Sequence, residues 1–483
     1  MDPVFELPIS LPPRGSRERL RCLHQQLRTA IVEGRLKPGL RLPPTRELAS
    51  AYNVSRNTVV AAYELLISEG YLTTRRGSGT FVADTLPRIR HRPPVTTDPA
   101  AEKRLSAFWR NPPPLWPSST RDSFRFDFRV GTPDIQRFPF DVWRRLYARA
   151  LRALSKAHPA APEDPQGRYT LREAIAMHTA FARAVACQAD DIVVTSGAQQ
   201  AFDLLARILV TPGRTIVAVE SPGYPPARAA FAAAGARIVP VPVDEQGLVV
   251  SRIPPRARVI CVTPSHQFPL GSAMSMERRV ALLEHTQAKG AVVIEDDYDG
   301  EFRFGGRPLD ALQTLDRTGS VFYVGTFSKS LFPALRLGFV VSPPWARRAL
   351  VTAKQHADVQ CGIVSQEALA AFIREGHLAR HIRRMRQIYG ARRETLLQGL
   401  HEDFAERLQV IPSLAGLHVS AWPQSSCAVD TVVARAQSQG IGLQSMRHCY
   451  VGRAGRALLA FGYGLIGERD IREGLSALRK LFG

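Results

Sequence analysis

One lysine of this chain stands in a setting that suits covalent chemistry. Only seven of the 64 basic residues are lysines, and Lys329 closes the segment Gly325–Lys329 directly after an apolar run. A lysine that forms a Schiff base needs a rigid position and an environment that keeps its amine partly deprotonated. The hydroxyls of Thr326 and Ser328, together with Arg336 seven residues later, would suit a phosphate group nearby. Taken alone, this pattern fits an ordinary surface lysine better than a catalytic one.

Two further strand ends carry polar residues that could belong to the same site. The segment Thr195–Gln200 runs from a strand into a helix and leaves free backbone N–H groups, which bind anions at a helix N-terminus. A plain strand–helix turn would look the same. The segment Glu295–Tyr298 ends another apolar strand with three carboxylates and a phenol. Pyridoxal phosphate needs a carboxylate against its ring nitrogen and a donor at its ring hydroxyl, but three carboxylates could also hold magnesium.

An aromatic residue offers a further contact for such a ring. Tyr224 lies in the segment Glu220–Pro225 after another predicted strand. It could stack on a cofactor ring, or it could fill the core or the surface.

The elements that carry these motifs alternate between apolar strands and helices. Strands are predicted at Ile192–Thr195, Thr215–Glu220, Val259–Thr263, Ala291–Asp296, Val321–Gly325 and Leu337–Val341, with helices such as Gln199–Val210 and Glu277–Ala288 between them. Strands that are apolar on both faces indicate a mostly parallel sheet covered by helices on both sides. From Glu367 onward the sequence is more helical with short late strands, which predicts a smaller α+β subdomain.

The amino-terminal part has a different pattern. Helices are predicted at Arg19–Val32, Arg46–Tyr52 and Arg56–Ser68, with Thr45 and Ser55 as N-caps, followed by strands at Tyr71–Thr74 and Thr80–Val82. Three helices and a hairpin in this order predict a winged helix-turn-helix.

Polar residues of this module stand where such a fold contacts DNA. The third helix begins with Ser55, Arg56, Asn57 and Thr58, which could contact base edges in the major groove. Arg46 could contact phosphate or base. At the hairpin tip, Arg75 and Arg76 beside Gly77 could enter the minor groove. The alternative is a small regulatory or dimerising three-helix module with solvated arginines.

Composition limits the class of protein. The chain has 483 residues, 45% of them hydrophobic and 22% charged, as in folded globular proteins. No apolar run approaches the ~18 residues of a membrane-spanning helix, and the acidic, proline-interrupted amino terminus is not typical of a secretion signal. Six cysteines without paired spacing indicate reduced thiols rather than disulfides or a zinc site. We therefore expect a soluble cytoplasmic protein without a metal, and the formal charge of +21 modestly favours an anionic partner.

A proline-rich polar stretch marks the domain boundary. Eight prolines lie between positions 87 and 117, and consecutive prolines stiffen a chain into an extended spacer. The predicted organisation is a DNA-binding module at 14–83, a linker at 84–122 and a large domain at 123–483.

Both halves resemble known families. Leu42–Ala49, Val54–Val59 and Arg76–Val82 resemble the signatures of the GntR-type winged helix. The blocks Gly131–Asp134, Pro264–Pro269, Glu295–Asp299 and Thr326–Lys329 resemble, in order, those of the fold-type I aminotransferases. The combination is similar to the MocR family of regulators, which fuses the two folds.

The resemblance implies a role for each site residue. Lys329 would form the Schiff base with pyridoxal phosphate, Asp296 would pair with the ring nitrogen, Tyr298 would bond the ring hydroxyl and Tyr224 would stack on the ring. The phosphate would be held by Gly197, Ala198, Gln199, Thr326, Ser328 and Arg336. His266 would belong to the same cofactor site, and Arg447 would hold the carboxylate of an effector.

The resemblance also implies the function. The chain would be a transcriptional regulator that binds a double-stranded DNA operator as a head-to-tail homodimer. Its aminotransferase-like domain would sense an amine, an amino acid or vitamin B6. The rival hypothesis is a working aminotransferase with a DNA-binding appendage, because every cofactor residue is present.

Overall fold

The computed structural model describes residues 7–13, 16, 18–84, 101–113, 124–156, 164–305, 309–424, 428–452 and 455–482. The chain divides into two compact units, Met1–Ala101 and Glu102–Gly483. The predicted linker at 84–122 lies mostly outside the described residues, because 85–100 and 114–123 are not among them.

The first unit is a winged helix-turn-helix, as predicted. Its elements are α1 (Arg19–Val32), α2 (Thr45–Ala51), α3 (Arg56–Ser68), β1 (Leu72–Arg75) and β2 (Gly79–Val82), and the two strands pair antiparallel. The apolar residues of α1 that recur at helical spacing, among them Leu23 and Leu27, are fully buried with Val59 and Leu66 of α3. Local periodicity therefore sets this core.

One of the two predicted helix caps of this unit is wrong. The side chain of Ser55 accepts a hydrogen bond from the Thr58 backbone N–H at 3.1 Å, which confirms it as the N-cap of α3. Thr45 instead belongs to α2, whose N-cap is Pro44 without a side-chain hydrogen bond. Pro44 has the extended backbone of an N-cap residue, and Thr45 is the first residue of the helix, one position earlier than predicted.

The second unit is built on an eight-stranded sheet. Its elements up to the end of the sheet are α4 (Ala107–Arg110), β3 (Phe126–Asp127), α5 (Phe140–Lys156), α6 (Tyr169–Arg183), β4 (Ile192–Thr195), α7 (Ala198–Leu209), β5 (Ile216–Ser221), α8 (Pro225–Ala233), β6 (Arg237–Asp244), β7 (Gly247–Leu248), β8 (Ala257–Val262), α9 (Met276–Lys289), β9 (Val292–Asp297), α10 (Leu312–Leu315), β10 (Val321–Thr326) and β11 (Gly338–Val341). The strand order is β4-β11-β10-β9-β8-β5-β6-β7, with β11 antiparallel to both neighbours and β7 antiparallel to β6.

This sheet confirms the predicted mostly parallel, doubly covered arrangement. Residues of β4 point alternately into two separate apolar cores: Val194 packs in one and Val193 in the other. The carboxyl ends of the parallel strands β4, β5, β8, β9 and β10 meet at one edge, where the predicted site residues stand.

The remaining elements form a helical cover and a small subdomain. They are α11 (Pro344–Asp358), α12 (Ile363–Arg374), α13 (His377–Phe404), β12 (Leu408–Val410), β13 (His418–Pro423), α14 (Val429–Ser438), β14 (Ile441–Gly442), β15 (Gln444–Ser445), β16 (Leu459–Gly462) and α15 (Glu468–Arg479). Strands β12, β13, β16 and β15 make an antiparallel sheet, while β14 pairs with β3. The predicted α+β subdomain is confirmed, but it begins after α12, whose buried face packs with the core of the large sheet. None of the described helices is long and apolar enough to cross a membrane.

Candidate functional site

Lys329 lies in the loop after β10, at the edge where the parallel strands end. Its ammonium donates a hydrogen bond to the carbonyl of Gly131. Burial lowers the pKa of Lys329 from its ordinary value, although nearby Asp299 and Asp296 oppose the shift. Because the neutral amine is the nucleophile in Schiff-base formation, this environment favours the chemistry predicted for Lys329.

Asp296, at the end of β9, is a buried carboxylate with an unused oxygen. Its Oδ1 is buried and has no hydrogen-bond partner among the described residues. Burial, and the neighbouring carboxylates Asp297 and Asp299, raise the pKa of Asp296 well above its ordinary value, and Lys329 opposes that shift. A cationic N–H donor placed at Oδ1 would satisfy this oxygen and hold the carboxylate ionised.

The three carboxylates of the Glu295–Asp297 run do not act together. Side chains alternate along a strand, so Asp296 faces one side of the sheet and its two neighbours face the other. Glu295 accepts the backbone N–H groups of Leu312 and Gln313 at 2.8 and 2.9 Å. Asp297 accepts a hydrogen bond from the Arg183 guanidinium at 2.6 Å. Glu295 and Asp297 are therefore occupied by other donors, and Asp296 alone of the three carboxylates would be left to bind magnesium.

Tyr298 and His266 are brought together with a residue that the sequence did not single out. The Tyr298 hydroxyl lies 2.8 Å from Nδ1 of His266. The same nitrogen lies 3.0 Å from an Asp299 carboxylate oxygen. His418 of β13 adds a third potential metal ligand to His266 and Asp299, since their ligand atoms lie within 4.8 Å of one another.

The predicted phosphate site is an open helix N-terminus beside an arginine. Gly197 is the N-cap of α7 with φ of +81° and no side-chain cap, so the first N–H groups of α7, from Ala198 and Gln199, lack a side-chain acceptor. A Cβ at Gly197 would come within 3.0 Å of the Arg336 guanidinium, and the positive φ at this position favours glycine. Arg336 itself donates to the Ser196 carbonyl at 2.8 Å.

Two hydroxyls stand near the same loop. The hydroxyl of Thr326 donates to Ser328 Oγ at 3.0 Å, and the Ser328 backbone N–H donates to Thr326 Oγ1 at 3.2 Å. The loop that carries Lys329 is therefore held by its own side chains.

Tyr224 and Asp296 line one small cavity. The Tyr224 ring packs edge-on against Phe268, with ring centroids 5.6 Å apart. Glu220 and Arg228 line the cavity as well, and no pattern in the sequence pointed to Arg228. Burial raises the pKa of Glu220 to about 7, while hydrogen bonds from Thr263 and Gln267 lower it.

Arg447 lies on the surface in the turn after β15. Its guanidinium pairs with Asp430 at 3.1 Å, and both side chains are more than half exposed. The prediction that Arg447 holds an effector carboxylate stays a prediction, because an exposed ion pair is weak and does not prevent the arginine from taking another carboxylate.

The predicted DNA-contacting residues lie mostly on the exposed surface of the first unit. Arg46, Arg56, Asn57 and Arg76 are exposed and make no side-chain hydrogen bond or ion pair with other residues in the described ranges. Ser55 and Thr58 are instead engaged with each other at the start of α3, with their hydroxyls 2.7 Å apart.

The two arginines at the hairpin tip differ in their contacts. The guanidinium of Arg75 lies over the Phe81 ring at 4.8 Å and pairs with Asp84 at 3.2 Å. Gly77 has φ of +79° in the turn, a conformation that glycine adopts without strain. Arg76 is the arginine of this turn that is left without a partner in the described structure.

Two family models match the chain. The model described as "Bacterial regulatory proteins, gntR family" matches residues 21–82. The model described as "Aminotransferase class I and II" matches residues 131–458.

Full-length relatives share both parts. A protein of Rhizobium meliloti named "Probable rhizopine catabolism regulatory protein MocR" is 37% identical over 96% of this chain and 93% of its own length. The "HTH-type pyridoxine biosynthesis transcriptional regulator PdxR" of Corynebacterium glutamicum is 33% identical over 97% of each chain. Among solved structures, a kynurenine aminotransferase of Pyrococcus horikoshii in complex with PMP has a TM-score of 0.72 and 25% identity, covering 80% of this chain and 98% of that chain.

Proposed function

The chain belongs to the MocR family of transcriptional regulators, and on that premise we propose that it holds pyridoxal phosphate on Lys329 and senses a small amine or amino acid, or vitamin B6 itself. The observation that carries the cofactor proposal is the orphaned Oδ1 of buried Asp296. The aminotransferase class I and II family is dependent on pyridoxal phosphate, whose protonated ring nitrogen is the kind of donor that this oxygen lacks.

The remaining side chains of the site fit the same group. The open N-terminus of α7 and Arg336 supply donors for a phosphate. Tyr298 would donate to the ring oxygen and Tyr224 would cover the ring face. When bound, the cofactor supplies an aldehyde that reacts with amines, so a free amine effector could compete with Lys329 for it.

Titration of the purified full chain with pyridoxal phosphate tests this proposal. We expect a visible absorbance band that saturates at one equivalent per chain, together with a change in operator affinity when an amine effector is added. A chain that stays colourless at saturating cofactor would contradict the proposal, and DNA binding would then be the one proposed activity that remains.

A working aminotransferase is the second candidate, because the cofactor residues are complete. Turnover of an amino donor with a keto acid, unchanged after deletion of residues 1–86, would favour it. A regulator would instead show operator binding that depends on the effector.

For DNA contact we propose Arg56, Asn57, Arg46 and Arg76. We expect Arg56→Ala to cost about 1–3 kcal/mol of discrimination between operator and non-operator DNA, because an exposed arginine at the start of α3 can bond guanine with two N–H groups. Binding of both DNAs at several salt concentrations measures this. Arg35→Ala is the matched control, since Arg35 is paired with Glu33 at 2.7 Å in the turn after α1. Equal weakening on both DNAs would make Arg56 a phosphate contact instead.

We propose a homodimer through the exposed apolar face of α5. Phe140, Tyr147, Leu151 and Leu154 recur at helical spacing and are 39–54% exposed. Leu151→Asp is expected to weaken the dimer affinity at least tenfold, because it places a charge in the apolar face. Light scattering over a dilution series measures the resulting shift from dimer to monomer. Val280→Asp on α9, also exposed, is the control. A Leu151→Asp protein that remains dimeric would place the interface elsewhere.

A further inference from the structure

A buried histidine–carboxylate pair stands behind Tyr298. His266 and Asp299 are each 2% exposed. Nδ1 of His266 lies 3.0 and 3.1 Å from the two oxygens of the Asp299 carboxylate. Within the described part of the chain, His266 is the only side chain that hydrogen-bonds this buried carboxyl group, so one ring atom is its whole side-chain hydrogen-bonding partner.

The surroundings of the ring decide which nitrogen carries its proton. Nε2 of His266 is buried and has no hydrogen-bond partner among the described residues. A proton on Nε2 would be an unsatisfied buried donor, whereas a proton on Nδ1 meets the Asp299 carboxylate. The neutral ring therefore carries its proton on Nδ1.

This tautomer fixes the direction of the Tyr298 hydroxyl. The hydroxyl oxygen is 2.8 Å from Nδ1, and a protonated Nδ1 has no lone pair to accept the phenolic proton. The one Nδ1–H is therefore shared between the Asp299 carboxylate and the Tyr298 oxygen, and the O–H bond of Tyr298 must point away from His266. No other described side chain or carbonyl accepts that proton.

We propose that His266 and Asp299 form a positioning pair that turns the Tyr298 proton outward, toward the ring oxygen of the cofactor. The inference rests on the proposed function, because the acceptor it names is part of pyridoxal phosphate. In this proposal His266 orients the Tyr298 hydroxyl without contacting the cofactor itself. Asp299, which the sequence pattern left unexplained, orients the proton of His266.

The other ionisable groups around the pair leave this arrangement intact. His418 packs on His266 with ring centroids 5.0 Å apart, and its Nε2 donates to the Pro269 carbonyl at 3.0 Å. Burial lowers the pKa of His418 to about 3, so it stays neutral and does not compete for Asp299. Asp296 and Lys329 face the pair from β9 and from the loop after β10, and Tyr463 faces Asp299 from the end of β16.

A pH titration of cofactor absorbance tests the proposal on the intact loaded protein. A donor at the ring oxygen stabilises the negative charge left there when the linkage to Lys329 loses its proton. Removing that donor should raise the apparent pKa of the linkage. We expect Tyr298→Phe and His266→Leu each to raise it by about one to two units.

The double variant separates positioning from a general structural effect. If His266 acts through Tyr298, His266→Leu should add nothing to the shift in a Tyr298→Phe protein. Additive shifts would overturn the proposal. Stoichiometric zinc in the purified protein that is lost in His266 and His418 variants would also overturn it, because a metal would then occupy the ring nitrogen.

Two amide variants at the same position test the proposal if the His266→Leu protein fails to fold. His266→Asn places an N–H donor near the position of Nδ1 and should restore a pKa close to that of the unmodified protein, whereas His266→Gln reaches the Nε2 position and should not. Equal titrations of these two variants would contradict the proposal. If the unmodified protein forms no chromophore, the proposed function itself fails, and if it does but His266 variants titrate like it, only this inference fails.

Discussion

Replacing Lys329 with alanine is expected to abolish the covalent attachment of pyridoxal phosphate and its visible absorbance, while the fold is retained. Lys329 is the lysine whose amine stands at the carboxyl edge of the sheet beside Asp296 and Asp299. Its hydrogen bond is made to a single backbone carbonyl, that of Gly131, so its loss removes little packing. Borohydride reduction followed by peptide mapping measures the effect: the unmodified protein should be labelled at Lys329, and the variant should carry no label.

A second lysine provides the control for this experiment. Lys289 is exposed at the end of α9, and Lys289→Ala should leave both absorbance and labelling unchanged. Label that persists at another lysine in the Lys329→Ala protein, with an unchanged spectrum, would remove Lys329 from the role we assign to it.

The second large effect concerns stability. Arg183→Met is expected to lower the free energy of unfolding by about 3–5 kcal/mol, because it leaves the buried Asp297 carboxylate without its cation. The Arg183 guanidinium and the Tyr323 hydroxyl donate to Asp297 at 2.6 and 2.7 Å, and Arg183 also donates to the Leu309 carbonyl and to Ser265. This cluster ties α6, β9 and β10 together directly beneath Asp296.

Denaturant unfolding followed by circular dichroism measures the loss. The matched control is the double variant Arg183→Met with Asp297→Leu, in which apolar groups replace both charges and much of the lost stability should return. A single variant as stable as the unmodified protein would mean that Asp297 does not need the arginine, and that the end of β9 is held by other contacts.

The first unit was predictable because its structure is local. Helices α1 and α3 have the predicted bounds, and their apolar residues at helical spacing form the buried core. The cap at Thr45 was the exception. Pro44 is the N-cap of α2, where the backbone N–H that proline lacks has no partner within the helix, and Thr45 is the first helical residue.

The chemistry of the large domain was predictable only in part. Apolar strands ending in polar residues placed Lys329 and Asp296 at one predicted edge, because carboxyl ends of parallel strands meet there, but the role of each was implied only by the family resemblance. The same rule could not separate a cofactor carboxylate from a metal ligand. That distinction needed Arg183 and the backbone of α10, which come from distant parts of the chain and occupy Asp297 and Glu295.

The role of Arg447 stays a prediction that rests on the resemblance alone. Its position in the sequence matched a site in related proteins, but Asp430 pairs with it on the surface. Which partner a long, flexible side chain finds depends on the surface around it, and spacing along the chain does not contain that information.

The sequence by itself determined the two fold types, because helix and strand periodicity are properties of short segments, whereas the roles proposed for α3 and Lys329 stay predictions. Only the tertiary structure decided that Asp296 is the carboxylate left unpaired and that His266, Asp299 and Tyr298 form one hydrogen-bonded group. The physical reason is that burial and pairing are set by residues far apart in the chain, such as His266 and Asp299, which meet only when the sheet has formed.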